Sequence, residues 1–190
     1  MALNDQSTRI RDGEELDVAI IDSYLKAHIP GLSGEPQISQ FPGGASNLTY
    51  LLEYPQQEFV LRRPPFGHKA KSAHDMGREY RILNQLNAGF PYCPKAYVHC
   101  TDESVIGAEF YVMQRVNGII LRADLPAELN FSPAQTSQLC KSFIDKLVEL
   151  HNVDYQACGL GDLGKPEGYV ARQISGWSDR YEKALTPDAP

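Results

Sequence analysis

Residues 37–63, QISQFPGGASNLTYLLEYPQQEFVLRR, hold three strand-like runs separated by two short turns. The runs are Gln37–Phe41, Leu48–Tyr54 and Glu58–Arg62, and the turns carry Pro42-Gly43-Gly44 and Pro55-Gln56-Gln57. Apolar and aromatic residues bounded by Gly and Pro read as strands, and connections this short predict antiparallel pairing.

Upstream of this stretch, Leu16 to Ile29 predicts an amphipathic helix. Leu16, Ile20, Tyr24 and Ala27 form its apolar stripe, with Ile21 and Leu25 beside them, and Pro30-Gly31 ends it. Downstream, Ser72 to Ala88 predicts a second helix with Tyr80, Leu83 and Leu86 among its apolar positions, closed by Gly89 and Pro91. Two more strand candidates follow, Lys95–Cys100 and Glu109–Val116, around the acidic, Gly-containing Thr101–Gly107. The chain then turns helical. Ser132-Pro133 is a strong start, with Ser as N-cap and Pro in the first turn. That helix is expected to reach about His151, and a last one to cover roughly Glu167–Leu185.

The order predicts an α+β fold: a five-stranded antiparallel sheet with one helix inserted after its third strand, then helices alone. This matches the small lobe of a protein-kinase-like fold followed by the first helices of a large lobe. The expected division is an N-terminal helical extension (1–35), a nucleotide-binding small lobe (36–117) and a partial helical large lobe (118–190).

Composition narrows the function. With 42% hydrophobic and 22% charged residues, the 190-residue chain is of the globular class. Its net charge of −6 and lack of any basic tract give no footprint for nucleic acid or an anionic membrane. No run approaches the roughly 18 apolar residues that mark a membrane span, and residues 1–11 are too polar for a signal peptide. A cytoplasmic location is the expectation. Cys93, Cys100, Cys140 and Cys158 form no Cys-x-x-Cys pair, which speaks against a zinc knuckle or redox motif.

Four features fall in an order that suits a nucleotide. The turn Gly43-Gly44-Ala45-Ser46-Asn47 has small residues whose N–H groups can approach phosphate oxygens, with the Ser46 hydroxyl as a further donor. An ordinary hairpin turn reads the same way. On the third strand, period-2 alternation puts Val60 and Arg62 on one face, an apolar residue for a base and a cation for the α/β-phosphates. The bland alternative is a solvated strand end. Glu79 lies 17 residues after Arg62 on the following helix, where a glutamate can orient that cation by an ion pair. Alone, it reads as a solvated helix face. Finally, Phe110–Gly118 runs from an apolar strand into a polar segment. There, backbone groups of Gln114 and Val116 suit an adenine edge, with Met113 behind. Each feature is weak alone, and the order is what carries weight.

Three stretches carry a resemblance: Gln40–Tyr50, Phe59-Val60-Leu61-Arg62-Arg63-Pro64-Pro65, and Arg78-Glu79-Tyr80-Arg81-Ile82-Leu83. Together they resemble the aminoglycoside phosphotransferase family, in the branch similar to the kinase-like domain found with acyl-CoA dehydrogenase domains. The resemblance covers roughly Glu35 to Leu185. It implies a bilobal kinase-like fold, ATP or GTP with Mg2+, and a small hydroxyl-bearing acceptor, with a hydroxyacyl thioester as one analogy. Arg62 stands where protein kinases usually have lysine, whose point charge it does not reproduce.

Gly159–Pro166 mimics several motifs. As G-x-G-x-x-G it follows a helix rather than a strand, and as a phosphate-binding loop it has Pro166 where a hydroxyl residue is needed. As a metal-binding Asp-Leu-Gly it follows Asp154 too closely. A connector between helices is the expectation. The family's His-Gly-Asp loop, with Asn five residues after the Asp, occurs nowhere in these 190 residues, so no catalytic residue and no metal ligand is assigned. The expectations are a further helical portion beyond Pro190 and an isolated chain that does not turn over. The alternative is a pseudokinase-like nucleotide-binding or regulatory module. The broad apolar stripe Leu139, Cys140, Phe143, Ile144, Leu147, Val148 and Leu150 leads us to expect dimerisation or domain swapping.

Overall fold

The computed structural model describes residues 5–42, 47–67, 75–121 and 124–186. Among these residues ten elements follow one another: helix α1 (Val18–His28), strands β1 (Gln37–Gln40), β2 (Leu48–Glu53) and β3 (Glu58–Arg63), and helix α2 (Met76–Leu86). Then come β4 (Ala96–Cys100), β5 (Phe110–Gln114), a short 3-10 turn (Ala127–Leu129), α3 (Pro133–His151) and α4 (Tyr169–Ala184). The five strands form one antiparallel sheet in the order β1-β2-β3-β5-β4. This is the expected kinase-like small lobe. The chain divides into two compact units, 1–154 and 155–190, and α4 belongs to the second.

Period-2 alternation sorts the sheet into two faces. Tyr50, Leu52, Phe59, Leu61, Phe110 and Val112 are fully buried and pack with Ile21 and Leu25 of α1 into the main core. The opposite face carries a smaller cluster, Phe41, Leu51 and Val60, with Met113 packed against it. Leu51 pairs with Val60, and Val60 with Met113, across adjacent strands. We call these the outer and inner faces.

Helix α1 starts at Asp17, whose carboxylate accepts from the N–H groups of Ala19 and Ile20. Its buried residues are Ile21 and Leu25. The predicted stripe is corrected here, because Ile20 is 44% exposed and Ala27 also faces out. Apolar residues occur in adjacent pairs, Ile20-Ile21 and Tyr24-Leu25, so the 3.6-residue period leaves the rotation of the helix undetermined. The Tyr54 hydroxyl settles it by bonding Asp22 at 3.1 Å.

The outer face also buries polar groups, all of them partnered. Gln40, 1% exposed, accepts from Arg11 N–H at 2.9 Å and donates to Glu14 at 2.5 Å. That second bond is the main reason the Glu14 carboxyl titrates below its ordinary range. Tyr50 donates to the Glu14 carbonyl at 2.8 Å, and burial pushes its phenol up to about 12. Arg63, 2% exposed, donates to the carbonyls of Pro64 and Ile106 at 3.1 and 3.0 Å and stacks on Phe66. Buried charge is tolerable only with such partners.

Helix α3 begins at a full capping box, in which the Ser132 hydroxyl accepts from Gln135 N–H and the Gln135 side chain accepts from Ser132 N–H. It contains no buried residue, and Phe143, Ile144, Leu147, Val148 and Leu150 are all exposed. In the second unit, residues 159–166 form turns ahead of α4, as the connector reading requires. No helix among the described residues is long and apolar enough to cross a membrane.

Candidate functional site on the inner face

The site begins with how α2 reaches the sheet. Asp75 caps the helix by accepting from Arg78 N–H at 2.7 Å. Gly77 then lets the first turn come close, since a Cβ there would lie 3.2 Å from Glu109 Oε1 and 3.3 Å from His99 Cε1. His99 of β4 bonds Glu109 at 2.7 Å, and the Tyr80 ring stacks on its imidazole with centroids 5.1 Å apart. These contacts set the helix so that Glu79 faces β3 and β5.

Glu79 is the hub. Its Oε2 lies 3.2 Å from Arg62 Nη1 and accepts the Tyr111 hydroxyl at 2.9 Å, while its Oε1 accepts from Asn47 Nδ2 at 3.1 Å. Arg62 and Tyr111 are direct partners in the β3–β5 ladder, which fixes their spacing. Tyr111 is 1% exposed, and burial raises its pKa well above the ordinary tyrosine range, so the phenol stays protonated and donates. The Arg62 and Glu79 side chains are each 32% exposed. An ion pair that open to water is worth at most about 1 kcal/mol, so its value lies in fixing the position of the guanidinium.

Arg62 Nε is buried and donates to no acceptor among the described residues. An unmade hydrogen bond of this kind costs about 1–3 kcal/mol. An anionic oxygen arriving from outside the chain would remove that cost. Beside the guanidinium lies the apolar patch of Phe41, Leu51, Val60 and Met113. A cation adjoining an apolar platform on one sheet face is the donor set that a base joined to phosphates requires.

Several predicted residues come together here. Val60, Arg62 and Met113 share the inner face, and Glu79 meets Arg62 as expected. Asn47 lies 6% exposed with its amide on Glu79, a role different from the phosphate-facing one read from its turn. Gly43, Gly44, Ala45 and Ser46 lie outside the described residues. The Gln114 N–H donates to the Lys95 carbonyl at 2.8 Å, so that group is already engaged. Val116 follows the end of β5 and is 56% exposed. Tyr111, Phe41 and Leu51 were not singled out in the sequence. Alternation along Phe110–Met113 does place Tyr111 with Met113, and that signal would have found it. Among the described residues no group of three or more His, Cys, Asp or Glu is placed to hold a metal.

A five-stranded sheet with an inserted helix whose glutamate pairs with a strand-three cation defines a kinase-like phosphotransferase small lobe. The chain belongs to the phosphotransferase enzyme family, whose model matches residues 37–190. It is 37% identical over 196 residues to acyl-CoA dehydrogenase family member 11 of Gallus gallus, covering all of this chain and 25% of that protein. To the Homo sapiens protein of the same name it is 36% identical over 181 residues, covering 93% of this chain and 23% of the other. Among solved structures it is similar to a Ralstonia eutropha JMP134 protein provisionally named an aminoglycoside phosphotransferase. That match has 35% identity and a TM-score of 0.76, over 92% of this chain and 50% of the other. The chain therefore spans about a quarter of these curated relatives and half of the solved one.

Proposed function

We propose that this chain is the nucleotide-holding portion of an ATP- or GTP-dependent phosphotransferase acting on a hydroxyl group of a small molecule. The observation that carries the reading is the Glu79 hub, which holds Arg62 beside the Phe41–Leu51–Val60–Met113 patch with a buried N–H unspent. In this reading the patch receives the base and Arg62 receives the α/β-phosphates. Glu79 orients Arg62, and Tyr111 and Asn47 orient Glu79. The phosphate-binding role read from the sequence for Gly43, Gly44, Ala45 and Ser46 is part of this reading, with Gln114 and Val116 lining the base edge. Mg2+ bound with the nucleotide would neutralise charge on the transferring phosphoryl group. The names of the curated relatives set acyl-CoA chemistry nearby, so an acyl-derived hydroxyl compound is the first acceptor to try.

These 190 residues contain no His-Gly-Asp-x4-Asn sequence, and phosphoryl transfer depends on such positioning groups. We therefore propose that the chain by itself binds without turnover. Calorimetric titration with MgATP and MgGTP tests the reading. We expect saturable binding by the wild-type chain and at least a tenfold loss in Arg62→Ala and Glu79→Ala, the size of one lost charge-assisted contact, about 1.4 kcal/mol or more. No saturation at millimolar nucleotide would overturn it.

A further inference from the structure

Two buried side-chain nitrogens without a hydrogen-bond partner occur among the described residues, Arg62 Nε and Arg115 Nε. Their placement is not scattered. Arg62 pairs with Tyr111, Val60 pairs with Met113, and the next step along the same ladder brings Arg115 N–H to the Glu58 carbonyl at 3.5 Å. By alternation Arg115 shares the inner face with Tyr111 and Met113. Its guanidinium lies 4.8 Å from the Phe41 ring centroid. The backbones of the two arginines thus stand at the two ends of the apolar patch, Arg115 opposite Glu58, which is four residues or about 13 Å along β3 from Arg62 at 3.3 Å per residue.

The position of Arg115 is set from far away in sequence. Its Nη2 donates to the Asp5 carbonyl at 2.8 Å, across 110 residues. The segment that carries Asp5 is fastened to β1. Thr8 exchanges backbone hydrogen bonds with Gln40 at 2.7 and 3.0 Å, and the Ser39 hydroxyl donates to that of Ser7 at 2.7 Å. Residues 5–8 are therefore fastened to β1 at Ser7 and Thr8 and reach Arg115 through the Asp5 carbonyl.

We infer that Arg115 is the base-end anchor of the nucleotide site and that residues 5–8 are the strap that positions it. The inference rests on the nucleotide reading above and deepens it. A base lying on Phe41, Val60 and Met113, with its phosphates toward Arg62, directs its ribose and outer edge toward Arg115. Ring nitrogens and ribose hydroxyls are acceptors, and the Nε–H of Arg115 has no acceptor among the described residues. Arg62 then reads the phosphates, and Arg115 reads the part common to nucleotide and nucleoside.

Ligand truncation separates the two roles. The 190-residue chain is titrated with MgATP, ADP and adenosine. Arg62→Ala is expected to weaken MgATP and ADP and to leave adenosine unchanged. Arg115→Ala is expected to weaken all three by one common factor, about tenfold for a lost charge-assisted hydrogen bond. A variant lacking residues 1–6 removes the Asp5 carbonyl and is expected to show the same ligand-independent loss at a smaller factor, which keeps the test usable if Arg115→Ala folds poorly. A structural role alone would lower the melting temperature without a common affinity factor. Wild-type binding with unchanged adenosine affinity in both variants would overturn the anchor and leave the nucleotide reading standing. No binding of any nucleotide by the wild-type chain would overturn both.

Discussion

The five-stranded sheet and helix α3 are held by different physics. In the sheet, Tyr50, Leu52, Phe59, Leu61, Phe110 and Val112 are completely buried, and the fold is fixed by what those residues displace from water. Helix α3 contains no fully buried residue, yet it begins at a reciprocal capping box with Pro133 in its first turn and ends with His151 in its last. Burial specifies the one, and local hydrogen bonding specifies the other. A mutation should therefore have consequences that depend on which region it strikes far more than on the residue type it replaces.

The sharpest way to break that contrast is a matched pair of truncations. Leu61→Ala in the sheet is expected to cost about 2–5 kcal/mol. Leu147→Ala on α3, 38% exposed, is expected to stay within about 0.5 kcal/mol. Urea unfolding followed by circular dichroism measures both, and equal losses would dissolve the distinction.

A smaller effect tests the polar side of the core. Tyr50→Phe removes the bond to the Glu14 carbonyl and should cost about 1 kcal/mol at neutral pH. The phenol is raised in the folded state from an ordinary value near 10 to about 12. Its contribution is therefore complete below pH 10 and is lost as pH climbs through 12. Between those values the wild type should lose stability and approach the variant, which thermal melts at stepped pH would show. Parallel curves across that window would mean that the hydroxyl is not buried as described. Smaller and more local still, Ser132→Ala should cost α3 about 1 kcal/mol. The loss should show as faster amide exchange in its first turn, with the sheet amides unaffected.

The same contrast explains what could be read in advance. Helix α3 was legible to the residue, because Ser132, Pro133 and Gln135 write its start locally. The strands were legible to within a residue or two, since Pro42-Gly43 and Pro55-Gln56 punctuate them. The rotation of α1 was not, because Ile20-Ile21 and Tyr24-Leu25 offer two equally apolar faces and only contact with the sheet selects one. In the site, Arg62 and Glu79 followed from order and spacing. The attachment of Asn47 to Glu79 spans 32 residues and that of Arg115 to Asp5 spans 110, and neither leaves a local trace in the sequence.

Arg62 and Arg63 stand side by side on β3 and point to opposite faces, one to the Glu79 hub and the other into a cage of carbonyls. A slip of β3 by one residue would exchange the faces of every side chain on the strand. A slip in either direction puts arginine in place of arginine at one of these two positions only, and brings Pro64 to the cage or Leu61 to the hub at the other. The twin arginines therefore discriminate between correct and slipped pairing at one site instead of two. The rest of the choice falls to Phe59 and Leu61 on the outer face, against Glu58 and Val60 on the other. Replacing either outer residue with a polar one would do more than loosen a core. It would remove the information that tells this strand which way up it lies.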